Sequence, residues 1–203
     1  MIVLELEQNT PEWLKARAGI PTASEFSSLV TADGKPSKSA QAYAETLAGE
    51  LYAGQPITSW EGNQYTQFGH ETEEEAALAY SLRTGTDLEA IGFCLDDAER
   101  YGCSPDRLAG DGLLEIKCLP KKHITQLLYW HKHGRSPPDY IAQCQGQLLV
   151  TGRAWVDLFF YSPLLPSLTI RIQPDPDYHR AILAGIDQCI AERDRVLQIL
   201  EGM

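Results

Sequence analysis

Apolar residues recur along this chain at two different periods, and the change from one to the other lays out its elements. Tyr43, Leu47 and Leu51 fall four positions apart, the spacing of one buried helical face. Over about 69–84, Ala76, Ala79, Tyr80 and Leu82 supply the apolar side of another helix, which Gly85 ends. Its first turns hold Glu71, Glu73, Glu74 and Glu75, acids that suit the positive end of the helix dipole and face solvent. Ile91, Phe93 and Leu95 alternate instead, as a half-buried strand does, and the Asp96-Asp97-Ala98 turn leads into a strand over 101–104. The stretch 113–119 is mostly apolar and predicts a buried strand. After Ser136-Pro137-Pro138-Asp139 a helix carries Tyr140, Cys144 and Leu148 on one stripe and Gln143 and Gln147 on another. Strands follow at 155–161 and 168–172; in the second, Leu168, Ile170 and Ile172 face one way and Thr169 and Arg171 the other. Asp175-Pro176 caps a last helix with Ile182, Ile186, Cys189, Val196 and Leu200 on its buried side.

The N-terminal third is less periodic. Thr10-Pro11-Glu12-Trp13 opens a short helix that ends near Gly19. Thr22-Ala23-Ser24-Glu25 has the form of a capping box, which predicts a second short helix to about Val30. The stretch 31–39, with Asp33-Gly34-Lys35-Pro36, reads as a loop, and 54–65 as a polar connection broken by Gly and Pro. His131-Lys132-His133 and Lys121-Lys122 read as a loop face near DNA. The order of elements is helices, a strand cluster, a helix, two strands, a helix. That predicts a mixed α/β fold, a central sheet flanked by helices. The 203 residues suit a single domain spanning 1–203.

Composition narrows the class of protein. With 28 acidic and 17 basic residues the formal charge is −11, which on its face disfavours a nucleic-acid protein. The five cysteines, Cys94, Cys103, Cys118, Cys144 and Cys189, are odd in number and lack C-x-x-C spacing, which predicts reduced thiols in a cytoplasmic protein. The start of the chain has no basic, apolar leader, and no run of apolar residues is long enough to span a membrane. HExxH, Walker and Gly-x-Ser-x-Gly patterns are absent.

One constellation carries chemistry. Glu115-Ile116-Lys117 lies inside the predicted buried strand, so Glu115 and Lys117 project together and Ile116 enters the core. An acid and an amine on an apolar strand are costly to bury unless they are paired or ligate something. Asp106 closes the preceding strand and reaches the same place across a hairpin. Two carboxylates and a lysine make a site for a hard divalent cation, and Mg2+ takes one or two carboxylates and keeps several waters. An acid-x-Lys triplet arises by chance about once in a chain of this composition. Asp33-Gly34-Lys35 is such a decoy, with no strand beneath it.

Ser104-Pro105-Asp106 followed by Glu115-Ile116-Lys117 is the PD-(D/E)-x-K nuclease pattern, and the wider sequence resembles the phage lambda exonuclease and YqaJ-type viral recombinase nucleases. Four blocks in order carry the resemblance. They are Trp13-Leu14-Lys15-Ala16-Arg17 leading to Thr22-Ala23-Ser24-Glu25, then Gly69-His70-Glu71-Thr72-Glu73-Glu74-Glu75-Ala76, then Cys103-Ser104-Pro105-Asp106 with Leu114-Glu115-Ile116-Lys117-Cys118, and Tyr140-Ile141-Ala142-Gln143-Cys144-Gln145. The resemblance implies a restriction-endonuclease-like fold in which Asp106, Glu115 and the carbonyl of Ile116 ligate Mg2+, with Mn2+ as a substitute. It makes Lys117 the residue that orients and activates water, Glu73 a helix-borne acid supporting the metal, and Gln143 the glutamine that closes the nuclease core. Arg17 and Ser24 match the residues that hold the 5′-phosphate of a DNA end. Lys35 and Lys38 lie in a loop that can approach DNA, although that loop is short for the family. The segment between Lys117 and Pro120 is slightly longer than the family pattern.

The expected function is therefore a Mg2+-dependent 5′→3′ exonuclease on double-stranded DNA ends, cytoplasmic in a bacterial host or prophage-encoded. It would form a homotrimeric ring and leave 3′ overhangs for a single-strand annealing protein. An endonuclease or single-strand nuclease, and a catalytically silent end-binding scaffold, are the alternatives. Under this expectation the charge of −11 means weak non-specific binding, with basic residues gathered on the DNA side.

Overall fold

The computed structural model describes residues 1–57, 64–134 and 140–203, and the side chains of all of these but 64–71. In chain order the elements are β1 (Ile2–Leu4), α1 (Pro11–Arg17), a 3-10 helix (Ala23–Ser28), α2 (Ala40–Ala53), α3 (Gln64–Thr84), β2 (Leu88–Glu89), β3 (Phe93–Leu95), β4 (Gly102–Cys103), β5 (Arg107–Ala109), β6 (Gly112–Cys118), α4 (Lys121–Lys132), α5 (Ile141–Thr151), β7 (Val156–Tyr161), β8 (Leu168–Ile172) and α6 (Pro176–Glu201). Five strands form the main sheet in the order β2-β5-β6-β7-β8, and β1-β3-β4 form a second, smaller sheet. β6 and β7 pair in parallel, as the crossover through α4 and α5 requires, and the other pairs are antiparallel.

Strand alternation divides the main sheet into two packed faces. Leu114, Ile116 and Phe159 meet Ala76, Ala77 and Tyr80 of α3 on one side. Leu113, Leu158 and Phe160 meet Ile124 and Leu127 of α4 and Cys144 and Leu148 of α5 on the other. A further core joins Phe26 and Leu29 to Leu47 of α2 and to Ile182, Ile186 and Cys189 of α6. Trp13 of α1 packs on Phe93 and Leu95 of the small sheet. α5 approaches the 3-10 helix at Gly146, where a Cβ would stand 2.4 Å from the Phe26 ring, so only glycine allows that contact.

The mixed α/β expectation holds, and the strands at 113–119, 155–161 and 168–172 match β6, β7 and β8 within a residue. Several local expectations do not hold. Lys121-Lys122 and His131-Lys132, read as part of a loop face, belong to α4, whose Ile124, Leu127 and Leu128 share one face, and His133 caps its end. The strand at 91–95 is Phe93–Leu95 and buried throughout rather than half-buried, because it is the middle strand of the small sheet. β1, β2 and β5 are two or three residues long and too short to show a period. The helix expected from Gly69 begins at Gln64. Leu82 and Leu51, expected on buried faces, are exposed. The capping box does not form: the Thr22 hydroxyl makes no cap hydrogen bond and lies with Ser24 and Arg17. Val196 and Leu200 on α6 are half-buried. The helix start at Ser136-Pro137-Pro138-Asp139 falls largely outside the described residues, as do the side chains of His70 and Glu71. Among the described residues no helix is long and apolar enough to cross a membrane, and all five cysteines are free thiols.

Candidate active site

β6 places Glu115 and Lys117 on the sheet face covered by α4 and α5, and Ile116 on the α3 face. Arg107 of β5 pairs with Leu114, so the register extended by one residue sets Asp106 opposite Glu115. Asp106 Oδ2 accepts the Ile116 amide at 2.5 Å, which fixes its carboxylate against the strand. The segment before it is held by Gln8, whose amide donates to the carbonyls of Pro105 at 2.9 Å and Ile91 at 3.1 Å.

Glu115 is 2% exposed, yet both its oxygens are satisfied. Oε1 accepts from Lys117 Nζ at 2.7 Å and from Gln143 Nε2 at 2.6 Å; Oε2 accepts from Gln147 Nε2 at 2.6 Å. Gln143 and Gln147 stand one helical turn apart on α5, so one face of that helix grips both oxygens. Lys117 also lies 5.1 Å from the centre of the Tyr140 ring.

The electrostatics are those of two acids confined with one cation. Burial, then the charges of Glu115 and Glu73, push the Asp106 carboxyl well above its ordinary value, against the pull of Lys117 and the Ile116 amide. Burial draws Lys117 down, but Glu115 and Asp106 together outweigh it and hold the ammonium above its usual value. A cation between the acids would relieve their repulsion, and the carboxylate oxygens offered there are hard donors that fit Mg2+. Among the described residues no three acidic, histidine or cysteine side chains converge on one point, so such a cation would retain waters.

Glu73 reaches the same region from α3 but is engaged by Arg107, whose Nη1 donates to it at 3.2 Å. Arg107 also pairs with Glu74, and Glu75 accepts from the Tyr161 hydroxyl at 2.6 Å, so these two exposed acids are tied to the sheet. Glu73, Asp106 and Arg107 line a groove of about 740 Å3 shared with Glu5, Gln8 and Ile91.

Arg17, at the end of α1, borders a second cavity of about 700 Å3 that Ser24, Glu25, Tyr43 and Glu50 also line. Its guanidinium donates to Ser104 Oγ at 3.3 Å, Thr22 Oγ1 at 3.3 Å and Ser24 Oγ at 3.2 Å, and stacks 4.1 Å from the centre of the Trp13 ring. Trp13 Nε1 donates to the same Ser104 oxygen at 3.0 Å. Among the described residues Arg17 has no salt-bridge partner. Burial lowers its pKa from the ordinary value, with nearby Tyr43, Cys103 and acidic groups opposing. A half-buried guanidinium ringed by three hydroxyls and in no direct ion pair among the described residues has the chemistry to accept an oxyanion, with Glu25 and Glu50 farther along the same cavity.

The structure thus gathers Asp106, Glu115, Ile116, Lys117 and Gln143, sets Glu73 beside them, and brings Arg17 together with Ser24. Lys35 and Lys38 are exposed on the 31–39 turn, which Tyr178 pins to α6, and they line neither cavity. Sequence reasoning missed Ser104, Thr22 and Trp13 at the anion pocket and Gln8 and Gln147 behind the acids. The period-two relation of Ser104 to Asp106 and the four-residue relation of Gln147 to Gln143 were the available signals.

The YqaJ-like viral recombinase domain matches residues 12–154. The alkaline exonuclease LHK-Exo of Laribacter hongkongensis superposes with a TM-score of 0.82 at 30% identity, covering 95% of this chain and 96% of that one. LHK-Exo in complex with dAMP gives 0.80 at 31% identity with the same coverage. A phage-related exonuclease from Haemophilus somnus gives 0.69 at 16% identity, covering 89% of this chain and 96% of that one, and shares the fold. No curated relative of matching sequence was found.

Proposed function

The chain belongs to the YqaJ-like viral recombinase domain family, and on that premise we propose that it is a Mg2+-dependent 5′→3′ exonuclease acting on duplex DNA ends. The observation that carries the reading is the position of Ser104. Its hydroxyl completes the Arg17 anion pocket, and two residues on Asp106 joins Glu115 and Lys117. An oxyanion receptor and a hydrolytic cluster share one tripeptide.

Arg17 and the hydroxyls of Ser104, Thr22 and Ser24 take the terminal 5′-phosphate, which brings the next phosphodiester to Asp106 and Glu115. Asp106, Glu115 and the Ile116 carbonyl hold Mg2+, or Mn2+ in its place; when bound, the cation supplies the charge that acidifies water and stabilises the transition state. Lys117 donates toward the attacking oxygen and stabilises the negative charge that develops there. Gln143 and Gln147 keep Glu115 in place through its two oxygens.

The water oxygen bonds to phosphorus as the bond from phosphorus to O3′ breaks, the water proton passes to solvent, and O3′ takes up a proton. The end nucleotide leaves with its own 5′-phosphate, and the shortened strand carries a new 5′-phosphate that the Arg17 pocket accepts in turn. The dAMP bound to the Laribacter relative is a nucleotide of that product class. The remaining strand is a 3′ overhang, the substrate of a single-strand annealing partner. A homotrimeric ring around the DNA and a cytoplasmic site of action complete the proposal.

Linear duplex labelled at the 5′ or the 3′ end of one strand, with and without Mg2+, tests the reading. Mononucleotide release from the 5′-phosphorylated end in Mg2+ supports it. Cutting of closed circles points to an endonuclease, and an absence of turnover points to a silent scaffold.

A further inference from the structure

Among the described residues, α4 is the element whose chemistry runs against the rest of the chain. In a protein of charge −11, residues 116–138 form the longest stretch without an acid, and α4 lies wholly within it. Its twelve residues carry Lys121, Lys122 and Lys132, three of the seven lysines of the chain, together with His123 and His131, and His133 follows at its C-cap. Among the described residues no ion pair engages any of those three lysines. Ile124 and Leu127 bury the inner face against Leu113 and Phe160. The outer face leaves Tyr129 63% and Trp130 38% exposed, the Tyr129 ring lying 4.3 Å from that of His133.

Aromatic rings in solvent are costly unless something covers them, and unpaired lysines beside them select an anion. A flexible polyanion that offers flat rings along its length satisfies both. Cations that track phosphates, interleaved with aromatics on which bases stack, are the general means of holding a single strand. A duplex buries its base faces and leaves Tyr129 and Trp130 nothing to stack on. The position also fits. α4 begins four residues after Lys117 and covers the sheet face from which Glu115 and Lys117 project, so its N-terminus lies within about 14 Å of chain from the catalytic lysine.

We propose that the outer face of α4 is a binding track for unpaired DNA, with Tyr129 and Trp130 as stacking platforms and Lys121, Lys122 and Lys132 as phosphate contacts. The assignment rests on the nuclease reading for its substrate. The unpaired strand is the one that strand-selective digestion leaves behind. The track would keep it apart from its former partner and off the acids of the site.

Fluorescence anisotropy of a labelled oligothymidylate with a 5′-hydroxyl end, titrated with metal-free protein, tests this without recruiting the Arg17 pocket. Tyr129→Ala should weaken binding roughly tenfold, the loss of one stacked base. Lys132→Ala should flatten the dependence of log affinity on log salt by about 0.7, one single-strand phosphate contact. Both positions are exposed, so both variants should fold, with unchanged circular dichroism and melting.

Oligothymidylate binding that matches wild type in both variants overturns the proposal. So does an equal loss for a blunt, 5′-hydroxyl duplex, or an effect of Tyr129→Ala on self-association alone, which would make α4 a contact between copies of the chain. The binding is read without metal, so a protein that holds oligothymidylate through α4 and never cuts overturns the nuclease reading and leaves the track standing. Cleavage without α4-dependent binding does the reverse.

Discussion

Gln147 Nε2 donates to Glu115 Oε2 at 2.6 Å inside the core, while its own Oε1 is buried without a partner among the described residues. That amide oxygen is left unsatisfied so that the nitrogen can serve the carboxylate, an arrangement that costs stability unless the aim of Glu115 matters. Partners that orient a metal ligand typically change affinity or activity ten- to a hundredfold when lost. Gln147→Leu should therefore raise the Mg2+ concentration for half-maximal cleavage by about that factor. The calorimetric Mg2+ isotherm should weaken in parallel. An unchanged metal dependence would take Gln147 out of the site.

Lys117 donates to Glu115, and in the proposed reaction it would stabilise the attacking oxygen. Lys117→Ala should lower turnover by about a hundredfold or more, the usual effect of removing one electrostatic stabiliser of a transition state. Binding to a 5′-phosphorylated duplex end should persist, since Arg17 is untouched. Single-turnover digestion beside an anisotropy titration separates the two. A variant that digests near the wild-type rate refutes the assigned role.

Arg17 supplies the only charge described among the donors of the anion pocket, and Ser104, Thr22 and Ser24 are neutral. Arg17→Ala should abolish most of the preference for 5′-phosphorylated over 5′-hydroxyl ends, a ratio expected to fall by about tenfold, one charge-assisted hydrogen bond. Ser104→Ala should lower it less. Paired digestion rates on the two ends measure the ratio, and a preference that survives Arg17→Ala would relocate the pocket.

On the opposite sheet face, buried Asp157 accepts from the Tyr80 hydroxyl at 2.6 Å and from Arg171 Nε and Nη2, both at 2.8 Å. Arg171 in turn stacks 3.7 Å from the centre of the Trp155 ring. Tyr80→Phe keeps the ring and removes one bond to a buried charge, so it should cost about 1.5 kcal/mol in urea unfolding. Cleavage should stay at the wild-type rate, because α3 meets the sheet there on the side away from Glu115. Loss of cleavage with unchanged stability would contradict this division of the sheet.

His179, near the start of α6, has Nε2 buried without a partner among the described residues. Burial lowers its pKa below the ordinary value near 6.5, against the pull of Asp175. The unfolded chain therefore takes up this proton at a higher pH than the folded one. The stabilising contribution is present above about 6.5 and is lost as the pH falls through the lower folded value. His179→Gln should flatten the fall in melting temperature between neutral and mildly acid pH. An unchanged slope would assign it to other groups.

The centre of the molecule was legible because two independent patterns coincide on β6. Its apolar run marks a buried strand, and within that run the alternation of Glu115, Ile116 and Lys117 sends two charged groups to one side. α4 was not legible for a physical reason. Ile124, Leu127 and Leu128 have helical spacing, but they are few, cations flank them on both sides, and Pro120 at the cap position offers no capping side chain. The capping box at Thr22 failed because tertiary structure claimed its hydroxyl for Arg17. Ser104 belongs to no periodic pattern, and only its contacts with Trp13 and Arg17 give it a role.

Ser104 and Asp106 are joined by a single residue, so the anion pocket and the acid pair are separated by covalent geometry, at most about 7 Å of extended backbone. Gln8 clamps the carbonyl between them, and the Ile116 amide clamps the end. On the proposed function the tripeptide would act as a measuring stick, with the terminal phosphate seated at one mark and the bond to be cut at the other. A ruler made of main chain does not stretch with side-chain substitution or with the base that passes. The step length of digestion would then be one nucleotide on any sequence, and lengthening the ruler by a residue between Ser104 and Asp106 would put the enzyme out of phase with its own substrate.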